Sequence, residues 1–293
     1  MTFYPSSIAD SFEDIKLRTI TYPQDDFVSW YLPAAEVAAV FARGHLPYIT
    51  LPDIRDVRPR IAVILAQEKH PARDEKDYSL HPDYASAIVA SGGFPVFIAY
   101  DKVVEQLANI KPDGVLLIGG CFNSPRNWYL EPPVEDKDKR AQAYLQMLDY
   151  ARQNHLPTLG ICAGEQIIGG SLGAKLRRDI NRDCDAAQSH KQGGYVLAHK
   201  VKVLPDTLLA QVVKKSELPV NTAHNEAIDN LHLGQCRIAA LADDDTVEAI
   251  EPLAPWHKFV LGVQWHPERL LKLGDEASRQ IFKTFIKGAS DEL

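Results

Sequence analysis

The run Ile61-Ala62-Val63-Ile64-Leu65 constrains the fold of this chain most tightly. Five consecutive apolar residues without polar alternation describe a strand covered on both faces, the setting of a parallel sheet between layers of helix. Similar runs recur at residues 95–98, 114–118, 158–161 and 259–265. Between them the period changes to that of helices, at residues 84–91, 103–110 and 137–153. Gly92-Gly93 ends the first of these. Another helix is expected to start just after Cys162. Residues 277–287 read as a closing helix with Ile281, Phe282, Phe285 and Ile286 on one face. This alternation predicts an α/β fold with a largely parallel sheet flanked by helices. Shorter strands are expected at residues 194–204, 219–221, 236–242 and 247–251.

The first 58 residues have a different texture. Prolines punctuate them at Tyr22-Pro23, Leu32-Pro33, Leu46-Pro47 and Leu51-Pro52. A short helix is expected at residues 34–43, stopped by Gly44, and a short strand at 48–51. Residues 1–58 are therefore read as an N-terminal arm, either packed on the main domain or serving as a lid or oligomerisation arm. Residues 59–293 are read as one domain.

With 293 residues, 45% of them apolar, the chain can bury a large core. A formal charge of −7 argues against nonspecific nucleic-acid binding, which needs a basic face. Met1-Thr2-Phe3-Tyr4-Pro5 lacks the basic and apolar regions of a secretory signal, and no apolar run approaches a membrane span. The four cysteines, Cys121, Cys162, Cys184 and Cys236, show neither CxxC spacing nor a disulfide framework. A reducing cytoplasm is the expected compartment.

Ligands of open parallel sheets bind at the carboxyl ends of the strands. Four segments are expected to reach that edge, at Gly119-Gly120, Cys162, His224 and His266. A lone cysteine is ordinarily an inert filler. In Gly160-Ile161-Cys162-Ala163-Gly164 it sits instead on a sharp strand-to-helix turn, where flanking glycines relieve crowding and the helix N-terminus favours a thiolate. His266 is a candidate base for that thiol and an acid for a departing amine. Pro267 restricts His266 toward an extended conformation, so that Glu268 can accept a hydrogen bond from the imidazole. The amides of Ala163 and of the Gly119-Gly120-Cys121 turn are candidate oxyanion donors. His70, His81, His155, His232 and His257 are read as surface or packing residues, and Cys121, Cys184 and Cys236 as fillers.

These segments resemble the class I glutamine amidotransferase-like proteins. GICAG followed by Glu165-Gln166 is similar to their Gly-x-Cys-x-Gly-x-Gln elbow, and residues 262–268 (GVQWHPE) to their C-terminal motif, in the form used by free-standing gamma-glutamyl hydrolases. Residues 220–228 (VNTAHNEAI) resemble the VNSxHHQAI segment of those hydrolases, 171–176 (SLGAKL) their ALGGxL, and 113–120 (DGVLLIGG) their DGLLLxGG strand. The match in order and spacing runs from about Arg60 to the closing helix.

The resemblance implies a flavodoxin-like sheet and a Cys162–His266–Glu268 triad. It implies hydrolysis of a small-molecule gamma-glutamyl amide through a thioester, without a metal or organic cofactor. Gln166 matches a position near the bound glutamyl group, and Gly120, Ala163 and His224 complete the expected oxyanion and substrate set. Two alternatives stand beside this reading, a glutaminase subunit feeding ammonia to a separate synthase and a noncatalytic regulatory protein on the same fold. Homo-oligomerisation is left open. The chain departs from the pattern where substrate is read: Ala163 replaces the usual Arg, Asn225-Glu226 replace His-Gln, and Phe122-Asn123-Ser124-Pro125 replaces Asp-Val-x-Pro.

Overall fold

The computed structural model describes residues 18–21, 28–31, 58–69, 76–131, 138–180 and 190–290. The chain divides into two compact units, Met1–Val57 and Arg58–Leu293. In the first unit the described residues form an antiparallel pair, β1 (Arg18–Thr21) with β2 (Val28–Tyr31). The helix expected at 34–43 and the strand expected at 48–51 lie outside the described residues.

The second unit begins with β3 (Arg60–Ile64), β4 (Ala66–Lys69), β5 (Lys76–Ser79), α1 (Pro82–Ala90), β6 (Phe94–Ile98), α2 (Val103–Ile110) and β7 (Gly114–Leu117). There follow α3 (Lys139–Gln153), β8 (Thr158–Ile161), α4 (Ala163–Ser171), β9 (Leu176–Arg177), β10 (His199–Val203), α5 (Leu208–Val213) and β11 (Glu217–Val220). The unit closes with β12 (Ala227–Ile228), β13 (Cys236–Ala242), β14 (Val247–Pro252), β15 (Val260–Val263), α6 (Pro267–Leu271) and α7 (Glu276–Ala289).

Nine of these strands form one sheet in the order β11-β10-β13-β14-β15-β8-β7-β3-β6. From β15 to β6 every pair is parallel. Numbered among themselves, those five strands run 2-1-3-4-5 across the sheet from the β6 edge, a doubly wound order with helices on both faces. Strands β7, β8 and β15 are buried along their whole length, which is why they read as unbroken apolar runs. The remaining strands pair antiparallel, and β10 and β11 alternate between buried and open residues as a half-covered sheet requires.

Capping chemistry sets the helix boundaries. The Asp138 carboxylate accepts from Arg140 N at 2.5 Å, so α3 starts at Lys139 rather than at 137. Asp275 accepts from Ser278 N at 2.7 Å and starts α7 at Glu276. Pro82 takes the first position of α1, ahead of the expected start at 84. The β4–β5 pair, the β9–β12 pair, α5 and α6 were not expected. Each is six residues or shorter, too brief for a hydrophobic period to register. On α7, Ile281, Phe282, Phe285 and Ile286 are all buried, as their spacing predicts.

The turn from β8 into α4 is the tightest junction near the carboxyl edge. A Cβ on Gly160 would lie 2.6 Å from the Gly164 carbonyl oxygen, and one on Gly164 would overlap the backbone carbonyl of Leu117 in β7. Neither obstacle is a flexible side-chain end, so both positions require glycine. Gly164→Ala is expected to lower unfolding stability by about 2 kcal/mol or more, read as a reduced urea midpoint at unchanged slope. A midpoint equal to that of the wild type would show that the elbow relaxes freely.

Candidate active site

Cys162 emerges directly from β8, and its amide donates to Val263 O of β15 at 2.8 Å. Its backbone angles are φ 54° and ψ −110°, a conformation that side-chain-bearing residues rarely adopt. Such strain persists only where the surroundings impose it, here β7 on one side and β15 on the other. The residue is 7% exposed and precedes the first residue of α4. Ala163, the first residue of that helix, has an amide with no intrahelical acceptor and lies at the positive end of the helix dipole.

His266 follows β15 and opens α6, with Pro267 as the first helical residue. Its Nδ1 lies 2.7 Å from Glu268 Oε1, so that nitrogen carries the donated proton. The imidazole also lies beside Cys162: a Cβ on Gly119 would be 2.9 Å from His266 Cε1 and 3.2 Å from Cys162 Cβ. His266 and Glu268 are both buried. Burial works to lower the imidazole's pKa, but the Glu268 charge and the Cys162 contact outweigh it and push the value up from 6.5 to about 9. Arg269 Nε stands 3.5 Å from the same Glu268 oxygen.

Asn221 fixes the backbone of His266 from the antiparallel half of the sheet. Its Oδ1 accepts from His266 N at 2.9 Å, and its Nδ2 donates to His266 O at 3.0 Å and to Gly194 O at 2.6 Å. Asn221 lies within the 220–228 segment, where nothing local marks a role for it. Hydrogen bonds to both the N–H and the C=O of His266 make it a positioning residue.

The Gly119-Gly120 turn after β7 completes the edge. A Cβ on Gly119 would lie 2.9 Å from His266 Cε1, 2.9 Å from the Tyr84 hydroxyl and 3.2 Å from Cys162 Cβ, so the turn lies against both residues. Gly119 N donates to the Tyr84 hydroxyl at 3.0 Å, while the Gly119 carbonyl accepts from Arg140 Nη2 at 2.7 Å. Gly120 has φ 157°, and the Arg140 guanidinium fills the space where a side chain would project. Arg140 also donates to Tyr144 at 2.8 Å, and Tyr144 in turn to Ile118 O at 2.8 Å. Tyr84, Arg140 and Tyr144 carried no motif and were missed; their helical positions gave no sign that they converge on this turn. Burial, reinforced by Glu268 and Cys162, holds the Tyr84 phenol well above its ordinary pKa, so it stays neutral. Cys121 is exposed and, with Lys76, Lys139 and Arg140, lines a cavity of about 310 Å³. Cys236 is a buried thiol, and Cys184 lies outside the described residues.

The other expected substrate residues are engaged within the protein. Gln166 Nε2 donates to Glu226 O at 2.8 Å and to Gln264 Oε1 at 3.0 Å, tying α4 to the segment after β11. His224 is buried, with Nδ1 at 3.1 Å from Glu226 O and Nε2 at 3.4 Å from Glu248 Oε1. Both of its ring nitrogens thus face protein acceptors. Glu226 is partly buried and its Oε2 accepts from the Tyr129 hydroxyl at 3.0 Å. Burial raises its pKa above the usual carboxylate value. Burial, with Glu248 and Cys162 nearby, also holds the carboxyl of Glu165, fully buried beside the elbow, well above the usual carboxylate range.

The raised pKa of His266 makes stability depend on pH with a definite sign. The folded state binds the proton up to about pH 9 and the unfolded chain only up to about 6.5. The stabilisation is therefore complete below about pH 6.5 and is lost as pH rises to about 9. Glu268 and Cys162 are the charged or titratable groups acting on the ring. In urea titrations the stability advantage of wild type over His266→Gln is expected to shrink steadily across that interval. A difference independent of pH would refute the assignment.

The Peptidase C26 family model matches residues 59–268. The chain is 27% identical over 267 residues to a glutamine amidotransferase-like protein of Rickettsia prowazekii, with 76% of this chain and 93% of that protein covered. It is also 27% identical over 223 residues to the gamma-glutamyl-gamma-aminobutyrate hydrolase PuuD of Escherichia coli K12, covering 72% and 85%. The glutaminase domain of Trypanosoma brucei CTPS, solved with bound acivicin, shares the fold at TM-score 0.58 and 16% identity, covering 80% of this chain and 95% of that domain. The chain belongs to the Peptidase C26 family of class I glutamine amidotransferase-like proteins.

Proposed function

We propose that this protein hydrolyses gamma-glutamyl amide bonds with Cys162 as nucleophile, releasing glutamate and an amine. The observation that carries the proposal is the position of His266, packed beside Cys162 at the Gly119 turn with its Nδ1 2.7 Å from Glu268. In this reading His266 Nε2 takes the Cys162 thiol proton, the sulfur attacks the side-chain carbonyl carbon of the substrate, and the carbonyl π pair moves onto oxygen. The amides of Ala163 and Gly120 receive that oxyanion. The tetrahedral species collapses, the C–N bond breaks, and His266 Nε2–H protonates the departing amine. Water, deprotonated by the now neutral His266, then attacks the gamma-glutamyl thioester and frees glutamate and the thiol. Glu268 holds the imidazole tautomer and stabilises the imidazolium throughout. Gln166 shapes the glutamyl side of the pocket, and His224 acts on it through the Glu226 segment, whose carbonyl faces both residues.

The resemblance to a glutaminase domain favours one second reading, in which the substrate is glutamine and the ammonia passes to a separate synthase. A panel of gamma-glutamyl amines, gamma-glutamyl peptides and free glutamine separates the two. Free glutamate and intact amine formed by the protein alone are expected. Glutaminase activity appearing only with a partner would favour the second reading. Cys162→Ala is expected to reduce kcat by at least about 10⁴-fold, and retained activity would refute the mechanism.

Glu226 stands where relatives of the resembling hydrolase type carry Gln, and its carboxyl side chain suits a cationic leaving amine. Glu226→Gln is expected to lower kcat/KM for amine-bearing leaving groups relative to neutral ones. Unchanged selectivity between the two would remove Glu226 from substrate recognition.

A further inference from the structure

Within the antiparallel half of the sheet, three imidazoles converge on one carboxylate oxygen. Glu248 Oε1, on fully buried β14, lies 3.1 Å from His190 Nδ1, 3.1 Å from His199 Nε2 and 3.4 Å from His224 Nε2. His190, His224 and Glu248 are buried, and His199 is partly open at the start of β10. The His190 ring centroid is 4.7 Å from that of His199 and 4.8 Å from that of His224. The outer faces of two rings are also occupied: His190 Nε2 is 3.0 Å from Asp244 Oδ2, and His224 Nδ1 is 3.1 Å from Glu226 O.

The three nitrogens crowd a single carboxylate oxygen. Asp244, Glu248 and the Glu226 carbonyl are all acceptors, so each of these two rings has an acceptor at both nitrogens. Three N–H donors would also crowd onto Glu248 Oε1, whereas Glu248 Oε2 has no hydrogen-bond donor among the described residues.

We propose that His190, His199 and Glu248 bind a divalent transition-metal ion, zinc foremost, at a structural site separate from Cys162. Neutral imidazoles and a carboxylate are the donors such an ion takes. Two ligand atoms each about 2.1 Å from a tetrahedral ion lie about 3.4 Å apart, close to the separations around Glu248 Oε1. The ligand atoms of His190, His199 and Glu248 all lie within 4.8 Å of one another. Asp244 then takes the outer N–H of His190 and orients the ring, as second partners of metal-bound histidines do.

The ion would tie together β10, β14 and the segment that carries His190, which the segment that carries His224 borders. Those segments already meet: His224 N donates to His190 O at 2.8 Å, and Thr222 Oγ1 donates to the same oxygen at 2.6 Å. Asn221, which clamps the His266 backbone, is the neighbour of Thr222. The ion is thus a staple behind the base, with no part in bond making.

The test uses tag-free full-length protein expressed with supplemental zinc. Elemental analysis is expected to find about one zinc per chain, and Co²⁺ added to chelator-treated protein is expected to give d–d absorption. Zn²⁺ is expected to raise Tm by several degrees. His199→Ala, at the least buried ligand, is expected to weaken Zn²⁺ binding at least ~10-fold while the protein stays folded by circular dichroism. Glu248→Gln should do the same if it folds, and Cys162→Ala should bind as wild type does. Absence of stoichiometric zinc together with no Co²⁺ spectrum in the wild type would overturn the proposal. So would binding that survives His199→Ala and disappears in Cys162→Ala.

Discussion

The turn between β8 and α4 is the constraint on which the site depends. It holds Cys162 at a positive φ, and it can do so because Gly160 and Gly164 let the chain press against the Leu117 carbonyl of β7. The amide of Cys162 is bonded to β15, the strand that delivers His266. One strained residue is thereby fixed by the two strands on either side of it. Relaxing the turn would move the thiol relative to both the imidazole and the Gly119-Gly120 loop.

Buried polar groups do the rest of the positioning, and each lies within reach of a partner of matching chemistry. Arg140 sets the Gly119 carbonyl, Tyr84 holds the Gly119 amide, and Asn221 grips both sides of the His266 backbone. Unpaired, any of these groups would cost free energy in so dry a setting. Paired, they make the site rigid. Asn221 also couples the two halves of the sheet, because it reaches from the end of antiparallel β11 to His266, beyond the end of parallel β15. The antiparallel extension is therefore part of the apparatus that holds His266.

Much of the architecture was legible in the residues. The parallel strands were visible because burial on both faces forces unbroken apolar runs, and α2, β8 and β13 were delimited to the residue. Boundaries that shifted did so for local reasons, such as the Asp138 and Asp275 caps. Short elements were not legible, since fewer than two helical turns or two strand repeats leave no period to read. At the site, Cys162, His266 and Glu268 announced themselves because each lies in a compact segment with glycine or proline around it. Arg140, Tyr84, Glu165 and the His190–His199–Glu248 group did not. Their partners are distant in sequence, and nothing local marks a buried charge.

The sequence by itself therefore determined the alternation of strand and helix, the elbow and the identity of its thiol. Those follow from side-chain burial and backbone freedom, which act over a few residues. Only the tertiary structure decided which nitrogen of His266 faces Glu268 and which amides border the thiol. It alone turned His224 toward Glu248 and gathered three histidines 34 residues apart at their extremes, from His190 to His224, onto a glutamate of another strand. These choices depend on sheet order and on pairing among buried polar groups, and such long-range contacts leave no pattern along the chain.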